Sequence, residues 1–241
     1  MSVRQKLYEG KAKILYVTED PDTVMAHFKD DATAFNGQKQ GSISGKGAIN
    51  CKISAQLFEL LEERGISTHF LEQVEPNQML LRRVKIVPLE VIVRNLAAGS
   101  LCKQTGLAVG TVLKHPLVEF FYKNDDLGDP LLTIARLLLL ELATPEQVEQ
   151  LREKALLVNE ILSEFFQNRG ITLVDFKLEF GFDSQGELLL ADEISPDTCR
   201  LWNQLETDEN RRVMDKDRFR FDLGEVDAAY QQVLEKVLSE K

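Results

Sequence analysis

The order of the predicted elements along this chain indicates an α+β fold. Strand-like runs of Ile, Val, Leu and Tyr cluster early in the chain, and the longest stretch with helical spacing comes later. A doubly wound fold would instead alternate strand and helix throughout. The 241 residues suffice for one large domain or two small ones. A boundary near Pro88 would divide them into residues 1–87 and residues 88–241.

The early strands are separated by one predicted helix. Its apolar residues recur at helical spacing, and Gly65 suits the position just after a helix end. The strands are short runs bounded by turn residues. The predicted elements are, in order, strands at 7–17 and 23–28, a helix at 48–64, and strand segments within 67–95 that are broken at Pro76 and Pro88.

Two more helices are predicted in the second part of the chain. Thr144 begins the first, because Pro145 suits the first helical turn and Gln147 completes a Thr-x-x-Gln capping box. An apolar stripe continues to Gly170, which suits termination. A final amphipathic helix follows Gly224, with an apolar side formed by Val226, Tyr230, Val233 and Val237.

Residues 170–182 alternate so strictly that they predict a strand with two different faces. Asp175, Lys177 and Glu179 fall on one face, and the opposite face is apolar except for one Thr. A row of acid, base and acid on such a strand is either an exposed sheet face or a functional site. This strand alone does not decide between them.

A turn signal at residues 183–186 predicts that the chain folds back as an antiparallel hairpin. With a two-residue loop at its centre, Lys177 would pair with Asp192, and Asp192 would share a face with Glu179. A register shifted by one residue would place Asp192 on the opposite face. The predicted arrangement therefore depends on the register of this hairpin.

Glu179 and Asp192 are candidate metal ligands. Two carboxylates close together repel each other by a few kcal/mol at an effective dielectric near 20, and a cation between them removes that repulsion. Oxygen ligands beside a nucleotide favour Mg²⁺. The alternative is a solvated face with cross-strand pairs, each stabilising the sheet by less than about 1 kcal/mol.

A glycine turn near the start of the chain carries lysines suited to phosphate. Gly10 lets the backbone approach a ligand closely, and Lys11 and Lys13 project from one face of the strand that follows. Exposed strands often carry alternating lysines, so this feature is weak alone. The glycine-rich residues 41–47 do not form a Walker A loop, because three residues rather than four separate the flanking glycines and a Gly replaces the required Ser or Thr.

Further charged residues stand beside small residues or turns. Arg94 ends a predicted strand, and residues 98–100 (Ala-Gly-Ser) after it offer N–H groups that suit a phosphate or carboxylate. Arg200 follows residues 195–197, which suit a helix start. Residues 125–129 hold three acids in a turn-rich loop. Individually, each of these features is more often a surface pair or a solvated cluster.

Composition excludes several functional classes. The net charge of −10 disfavours nonspecific binding to nucleic acid. Three scattered histidines and three distant cysteines lack the spacing of a zinc site or a disulfide framework. The N-terminal segment lacks the apolar core of a secretion signal, and no apolar run approaches the length of a membrane span. We therefore expect a cytoplasmic protein with no membrane or nucleic-acid partner.

Six motifs, taken together and in order, resemble the SAICAR synthetase family. They extend over almost the whole chain, from about Leu7 to Phe221. Each motif alone is unspecific, but their combination and order are highly specific. The motifs are YEGKAK, VIVRN-x-AAGSL, KND…DP, LVDFKLEFG, DEISPD-x-x-R-LW and MDKDRFR.

The resemblance implies an ATP-dependent ligase of de novo purine biosynthesis. Its substrates would be ATP, L-aspartate and carboxyaminoimidazole ribonucleotide (CAIR). The CAIR carboxylate would become an acyl phosphate, and aspartate would displace phosphate to give SAICAR, with ADP as the other product. The implied fold is a small β-rich N-terminal subdomain over a larger α+β subdomain with ATP between them. The family is usually homo-oligomeric, and a dimer is favoured.

The resemblance also implies roles for residues of this chain. Lys11, Lys13 and Lys123 would contact the nucleotide, and the segment from Leu81 to Ile86 would contact adenine. Glu179 and Asp192 would hold Mg²⁺. Asp175, Lys177 and Asp129 are the implied catalytic residues, and the implied substrate-binding residues are Arg94, Ser100, Arg200, Lys216 and Arg220.

Two other functional classes compete with the ligase. A noncatalytic nucleotide-binding module would be expected to lose charged residues such as Lys177 or Asp192, and this chain keeps them. A small-molecule kinase would share the phosphoryl step and stop there. The presence of Arg94, Ser100 and Arg200 favours the ligase.

Overall fold

The computed structural model describes residues 5–34 and 37–239. Their strands form two antiparallel sheets and a two-stranded ribbon, with helices packed around them. The strands are β1 Lys6–Glu9, β2 Lys13–Val17, β3 Thr23–Phe28, β4 Asp31–Ala34, β5 Lys39–Ser42, β6 Phe70–Glu75, β7 Gln78–Arg82, β8 Lys85–Ile86, β9 Leu89–Leu96, β10 Val112–Tyr122, β11 Leu131–Leu132, β12 Ile171–Phe182, β13 Leu188–Ala191 and β14 Cys199–Asn203. The helices are α1 Lys46–Glu63, α2 Gly99–Thr105, α3 Ile134–Leu139, α4 Pro145–Gln167, α5 Asp217–Arg220 and α6 Val226–Leu238.

The first sheet has the strand order β1-β2-β3-β7-β6, and each neighbouring pair is antiparallel. The structure contains a hairpin over residues 7–17, where the sequence predicts a continuous strand. The chain turns at Gly10, whose N–H donates to the carbonyl of Lys13 at 2.8 Å. A turn that closes on itself in this way cannot also continue the strand ladder, so β1 and β2 separate.

The second sheet is larger, and β12 is its central strand. The order is β11-β10-β9-β12-β13, with β14 and β8 also pairing along β12. The side of β12 that faces away from the Asp175–Lys177–Glu179 row contributes Phe176, Leu178 and Phe180 to the core. The central position gives side chains on β12 neighbours from several other strands.

The three long helices occur where the sequence predicts them. In α4, Thr144 Oγ1 accepts the N–H of Gln147, and the Gln147 side chain accepts the N–H of Thr144, so the capping box is present. Gly65, just beyond α1, has a φ of 85°, a left-handed conformation that glycine adopts without strain. Among the described residues, none of the helices has the length and apolar composition needed to cross a membrane.

The predicted helix start at residues 195–197 is wrong. The N–H groups of Thr198 and Cys199 both donate to the carbonyl of Ser195, which closes a turn. Strand β14 follows immediately, because its backbone pairs with β12. Pairing with an existing strand therefore outweighs the local helix-start signal.

One continuous apolar core joins the two predicted parts of the chain. It includes Phe28 of β3, Phe58 of α1, Phe166 of α4 and Phe180 of β12. The chain changes from the first sheet to the second between β7 and β8, a few residues before the predicted boundary at residues 87 and 88. Because both parts share this core, the boundary stays a prediction.

The register of the β12–β13 hairpin differs from the predicted register by one residue. Glu179 lies opposite Ala191 and Phe180 opposite Leu190. The loop contains three residues, because Asp183 N–H donates to the carbonyl of Glu187 at 3.1 Å. Gly186 takes the left-handed conformation, with a φ of 83°, that such a loop requires. The predicted two-residue loop is therefore wrong.

Candidate active site at the junction of the two sheets

The charged row on β12 meets Asp192 despite the shifted register. Lys177 Nζ lies 2.7 Å from Glu179 Oε1 and 2.7 Å from Asp192 Oδ2, so one ammonium contacts both carboxylates. Asp192 follows the last residue of β13 and has a φ of 65°. This left-handed residue redirects a side chain that strict strand alternation would point away. The predicted meeting of Glu179 and Asp192 is confirmed, although the reason for it is different.

Three lysines from two other parts of the chain contact these carboxylates or the neighbouring loop. Lys13 Nζ of β2 lies 2.5 Å from Asp192 Oδ1, and Lys123 Nζ lies 2.6 Å from Glu179 Oε1. Lys11 Nζ, in the glycine turn, lies 2.7 Å from Asp125 Oδ1. The first hairpin therefore contacts the large sheet through lysine–carboxylate pairs.

Mutual attraction keeps Lys177 and Asp192 ionised. Burial opposes the charge on Lys177, but Asp192 and Glu179 outweigh it and raise the pKa of Lys177 well above its usual value. Burial likewise opposes ionisation of Asp192, but Lys13 and Lys177 hold the pKa of Asp192 well below its usual value. A partly enclosed set of fixed opposite charges is suited to binding a polyanion together with a cation.

A second cluster is centred on Asp175. In the sheet ladder, Asp175 lies directly opposite Arg94 of β9 and Arg200 of β14. Arg94 Nη1 and Arg200 Nη1 each lie 2.9 Å from Asp175 Oδ2. Arg94 Nη2 also donates to Ser100 Oγ at 2.9 Å. The structure therefore brings Arg94, Ser100 and Arg200 together, and their role in substrate binding stays a prediction.

Two further acids, which the sequence analysis did not select, hold the arginines of this second cluster. Arg94 Nε donates to Glu119 Oε2 at 2.6 Å, and Arg200 Nε donates to Asp217 Oδ2 at 2.7 Å. Asp217 also accepts a hydrogen bond from Arg220 Nη1 at 2.6 Å. The predicted residue Arg220 is thus connected to Arg200 through Asp217.

Gly99 allows Arg200 to approach the start of α2. A Cβ atom at residue 99 would lie 2.6 Å from Arg200 Nη2, and the φ of Gly99 is 54°. Both the close approach and the left-handed backbone favour glycine here. The small residues in AAGSL therefore make room for a guanidinium group beside the N–H groups of α2.

A third cluster surrounds Asp197, which was not selected as a site residue from the sequence. Lys46 Nζ lies 2.6 Å from Asp197 Oδ2, and the Tyr230 hydroxyl donates to Asp197 Oδ1 at 2.6 Å. Lys216, a predicted substrate-binding residue, lies 4.0 Å from Asp197 Oδ2. These residues come from α1, α6 and two loops, so no local sequence pattern links them.

The sequence of the chain matches a known family along nearly its whole length. A family model described as SAICAR synthetase matches residues 6–237. The chain belongs to the SAICAR synthetase family.

Curated relatives and solved structures support this assignment. The phosphoribosylaminoimidazole-succinocarboxamide synthase of Nostoc punctiforme is 70% identical over 238 residues, which cover 99% of this chain and 97% of the relative. The enzyme of that name from Thermosynechococcus vestitus is 63% identical, with 97% and 96% coverage. The crystal structure of the Ehrlichia chaffeensis synthase has a TM-score of 0.93 at 45% identity, covering 98% of this chain and 100% of that one. A SAICAR synthetase in complex with ADP has a TM-score of 0.92 at 45% identity, with 98% and 99% coverage.

Three predicted site residues lie at the edge of the clusters or outside them. The side chain of Leu81 is 3% exposed within the core, and the contact of this segment with adenine stays a prediction. Ile86 is partly exposed on β8. Asp129 Oδ1 accepts the N–H of Asn124 at 2.9 Å and closes the loop that follows Lys123.

The carboxylates of Glu179 and Asp192 have the donor chemistry that Mg²⁺ prefers. Within residues 5–34 and 37–239, no group of three or more His, Cys, Asp or Glu side chains is arranged to hold a metal. Mg²⁺ commonly uses one or two carboxylates and completes its shell with water and substrate phosphates. The oxygen donors of Glu179 and Asp192, already close to several ammonium groups, are a suitable partial set.

Proposed function

We propose that two clusters together form the active site of an ATP-dependent ligase. One is the Asp175 cluster, and the other is the lysine–carboxylate cluster of Lys13, Lys123, Lys177, Glu179 and Asp192. The enzyme joins L-aspartate to the carboxylate of CAIR and releases SAICAR, ADP and phosphate, in purine biosynthesis. One observation carries the assignment of the site. Lys177 on β12 contacts Glu179 and Asp192, while Asp175, two residues before it, contacts Arg94 and Arg200. A phosphoryl site and an anion site are therefore adjacent on one strand.

The lysines bind the triphosphate of ATP. Lys13 and Lys123 contact the cluster from separate segments, and Lys11 lies on the same hairpin as Lys13. Several converging ammonium groups bind phosphate oxygens more strongly than one does. Each lysine exchanges a carboxylate partner for a phosphate partner. Glu179 and Asp192 would hold Mg²⁺, and the bound ion would supply positive charge to the phosphates during transfer.

In the first step, a carboxylate oxygen of CAIR attacks the γ-phosphorus of ATP. A C–O–P linkage forms, the bond between γ-phosphorus and the bridging oxygen breaks, and ADP leaves with the electron pair. Lys177 attracts the carboxylate of CAIR and opposes its repulsion from the triphosphate. Asp175 accepts a hydrogen bond from the amine on the imidazole ring. Asp129 holds the loop after Lys123 in shape by accepting the N–H of Asn124.

In the second step, the amine of L-aspartate attacks the acyl phosphate. The C–N bond forms, the C–O bond to the phosphoryl group breaks, and phosphate leaves with the electron pair. The aspartate ammonium loses one proton before the attack and a second as the amide forms. Because the enzyme holds the aspartate amine next to the acyl phosphate, attack by the amine is faster than hydrolysis by water.

The 5′-phosphate of CAIR binds at the Asp175 cluster. Arg94, Arg200 and Ser100 provide guanidinium and hydroxyl donors in a partly buried setting. Arginine forks match phosphate geometry better than single ammonium groups do. Arg220 extends the same positive surface through Asp217.

We also propose a homodimeric, cytoplasmic enzyme. Large apolar side chains are exposed near residues 127–140, a patch that a second copy could cover. Cys51, Cys102 and Cys199 are free, and burial raises the pKa of the Cys51 and Cys199 thiols to about 12. Unreactive free thiols suit a reducing compartment.

ADP release measured with CAIR, with and without L-aspartate, tests the proposed function. We expect sustained ADP release and amide absorbance only when ATP, CAIR and L-aspartate are all present. A kinase would instead release ADP over many turnovers without L-aspartate, with one stable phosphorylated product formed for each ADP. No ATP turnover under any combination would contradict an enzymatic role.

A further inference from the structure

The Asp197 cluster contains more positive than negative charge. Its members are Lys46, Asp197, Lys216 and Tyr230. The side chains of Lys46 and Asp197 are 1% and 4% exposed and form a close ion pair. Tyr230 donates a hydrogen bond to the other oxygen of Asp197. Lys46 and Tyr230 therefore occupy the two oxygens of Asp197, and Lys216 is left with one longer ion pair to it.

Lys216 is an ammonium without an adequate acceptor. Its side chain is 14% exposed, and among the described residues Asp197, at 4.0 Å, is its only carboxylate partner within that distance. No hydrogen bond from Lys216 Nζ is present in the described part of the chain, since 4.0 Å exceeds hydrogen-bond length. Burial lowers the pKa of Lys216, although Asp197 opposes this effect. An anion that contacts the exposed side of such a mostly buried ammonium group strongly stabilises its charged form.

The Asp197 cluster is connected to both proposed binding sites, that of the ATP phosphates and that of the CAIR phosphate. On one side, Ser195 Oγ links Asp197 to Glu193, because it accepts the Asp197 N–H at 3.1 Å and donates to Glu193 Oε2 at 3.1 Å. Glu193 Oε1 is in turn 3.5 Å from Lys13. On the other side, Lys216 directly precedes Asp217, which holds Arg200.

We propose that Lys216 binds a carboxylate of L-aspartate, the dicarboxylic amino acid that supplies the nucleophile. This inference rests on the ligase function proposed above. Lys216 contacts the substrate, whereas Lys46 is a positioning residue, because it neutralises Asp197 and so keeps Lys216 available. A single ammonium suits a monoanionic carboxylate, and the dianionic phosphate of CAIR already has Arg94 and Arg200.

Hydroxylamine separates this inference from the ligase function. Hydroxylamine can replace L-aspartate as the nucleophile and trap the acyl phosphate as a hydroxamate. It has no carboxylate, so it does not need Lys216. Wild-type enzyme should release ADP with ATP, CAIR and hydroxylamine. Failure of the wild-type reaction in both assays would contradict the ligase function itself, whereas a defect confined to the variants concerns only the aspartate site.

The variant Lys216→Met keeps the aliphatic stem and removes the charge. We expect the KM for L-aspartate to rise about tenfold or more, from loss of one charge-assisted contact. Hydroxylamine-dependent turnover and the KM for CAIR should stay close to wild type. Lys52→Met, on the exposed side of α1, is the matched control and should change neither. A thermal melt verifies that each variant is folded.

The positioning role of Lys46 has its own test. In Lys46→Met, Asp197 is free to pair with Lys216, so the KM for L-aspartate should rise. In Lys46→Met/Asp197→Asn, both charges are absent, and the KM for L-aspartate should return toward wild type. A rise in the KM for CAIR instead of L-aspartate in Lys216→Met, or an equal loss of hydroxylamine-dependent turnover, would overturn the proposal. Failure of the double variant to recover when folded would overturn the role of Lys46.

Discussion

The substitution Asp192→Asn removes one negative charge from the centre of the site and changes little else. Asn has nearly the size of Asp and shares its tolerance of left-handed backbone, so the φ of 65° remains accessible. The two oxygens of Asp192 contact different lysines, Lys13 and Lys177. The variant keeps one oxygen and replaces the other with an N–H donor that faces an ammonium.

The expected magnitude follows from the short distances around Asp192. Lys13 Nζ and Lys177 Nζ lie 2.5 Å and 2.7 Å from its carboxylate oxygens. Two unit charges about 4 Å apart interact by about 4 kcal/mol at an effective dielectric of 20. Loss of one preorganised charge-stabilising group costs about 3–4 kcal/mol of transition-state stabilisation, or about 10²–10³ in rate. We therefore expect kcat to fall by about 10²-fold or more.

The assay is ADP release at saturating ATP, CAIR and L-aspartate over a titration of Mg²⁺. Glu187→Gln is the matched control, because Glu187 is an exposed carboxylate on the same hairpin. Its turnover should remain within about twofold of wild type, as for other exposed substitutions. Turnover of Asp192→Asn within about threefold of wild type at saturating Mg²⁺ would refute the reasoning from charge.

Three further predictions follow from the same contacts. Arg200→Ala should raise the KM for CAIR about tenfold or more with a smaller effect on kcat, because it removes a phosphate contact held throughout the reaction; an unchanged KM would exclude Arg200 from the phosphate site. Gly99→Ala should also raise the KM for CAIR, since the added Cβ displaces Arg200 and the positive φ costs about 1 kcal/mol; an unaltered KM and melting temperature would contradict this. The lowered pKa of Asp192 stabilises the fold above its unfolded pKa, near 3.9, and the stabilisation is lost as pH falls. Denaturant unfolding should therefore show wild type and Asp192→Asn converging in stability below about pH 4, and a constant difference down to pH 2.5 would contradict the assignment.

Local patterns predicted the elements whose ends are set by neighbouring residues. Helix α4 begins at its capping box because Thr144 and Gln147 satisfy each other's N–H groups without help from the rest of the chain. The alternation on β12 likewise predicted which side chains share a face. In both cases the governing interaction lies within a few residues.

Features that depend on a single backbone conformation were not predictable in this way. The hairpin loop has three residues because Gly186 adopts a positive φ, and the resulting register alone would point Asp192 away from Lys177. Asp192 itself also adopts a positive φ and restores the contact. No residue pattern signals a left-handed Asp, so the right grouping was predicted from a wrong register.

Contacts between residues that are far apart in the chain were also not predictable from local patterns. The ion pair of Lys46 and Asp197 joins residues 151 positions apart, and Glu119 meets Arg94 only because β9 and β10 are neighbours. The environment of Leu81 was equally unpredictable, because an apolar side chain can pack against a nucleotide base or within the core. In the structure it is buried in the core. Motif order supplied the grouping of Arg94, Ser100 and Arg200 that spacing could not.

The location of the divalent cation tests the central claim most directly. Crystals grown with a non-hydrolysable ATP analogue, CAIR and Mn²⁺ in place of Mg²⁺ would reveal the metal by its anomalous scattering. We expect an anomalous peak coordinated by Glu179 and Asp192 and bridged to the phosphates, with Lys13 moved from Asp192 to a phosphate oxygen. A peak away from both carboxylates, with the lysine pairs unchanged, would contradict the account.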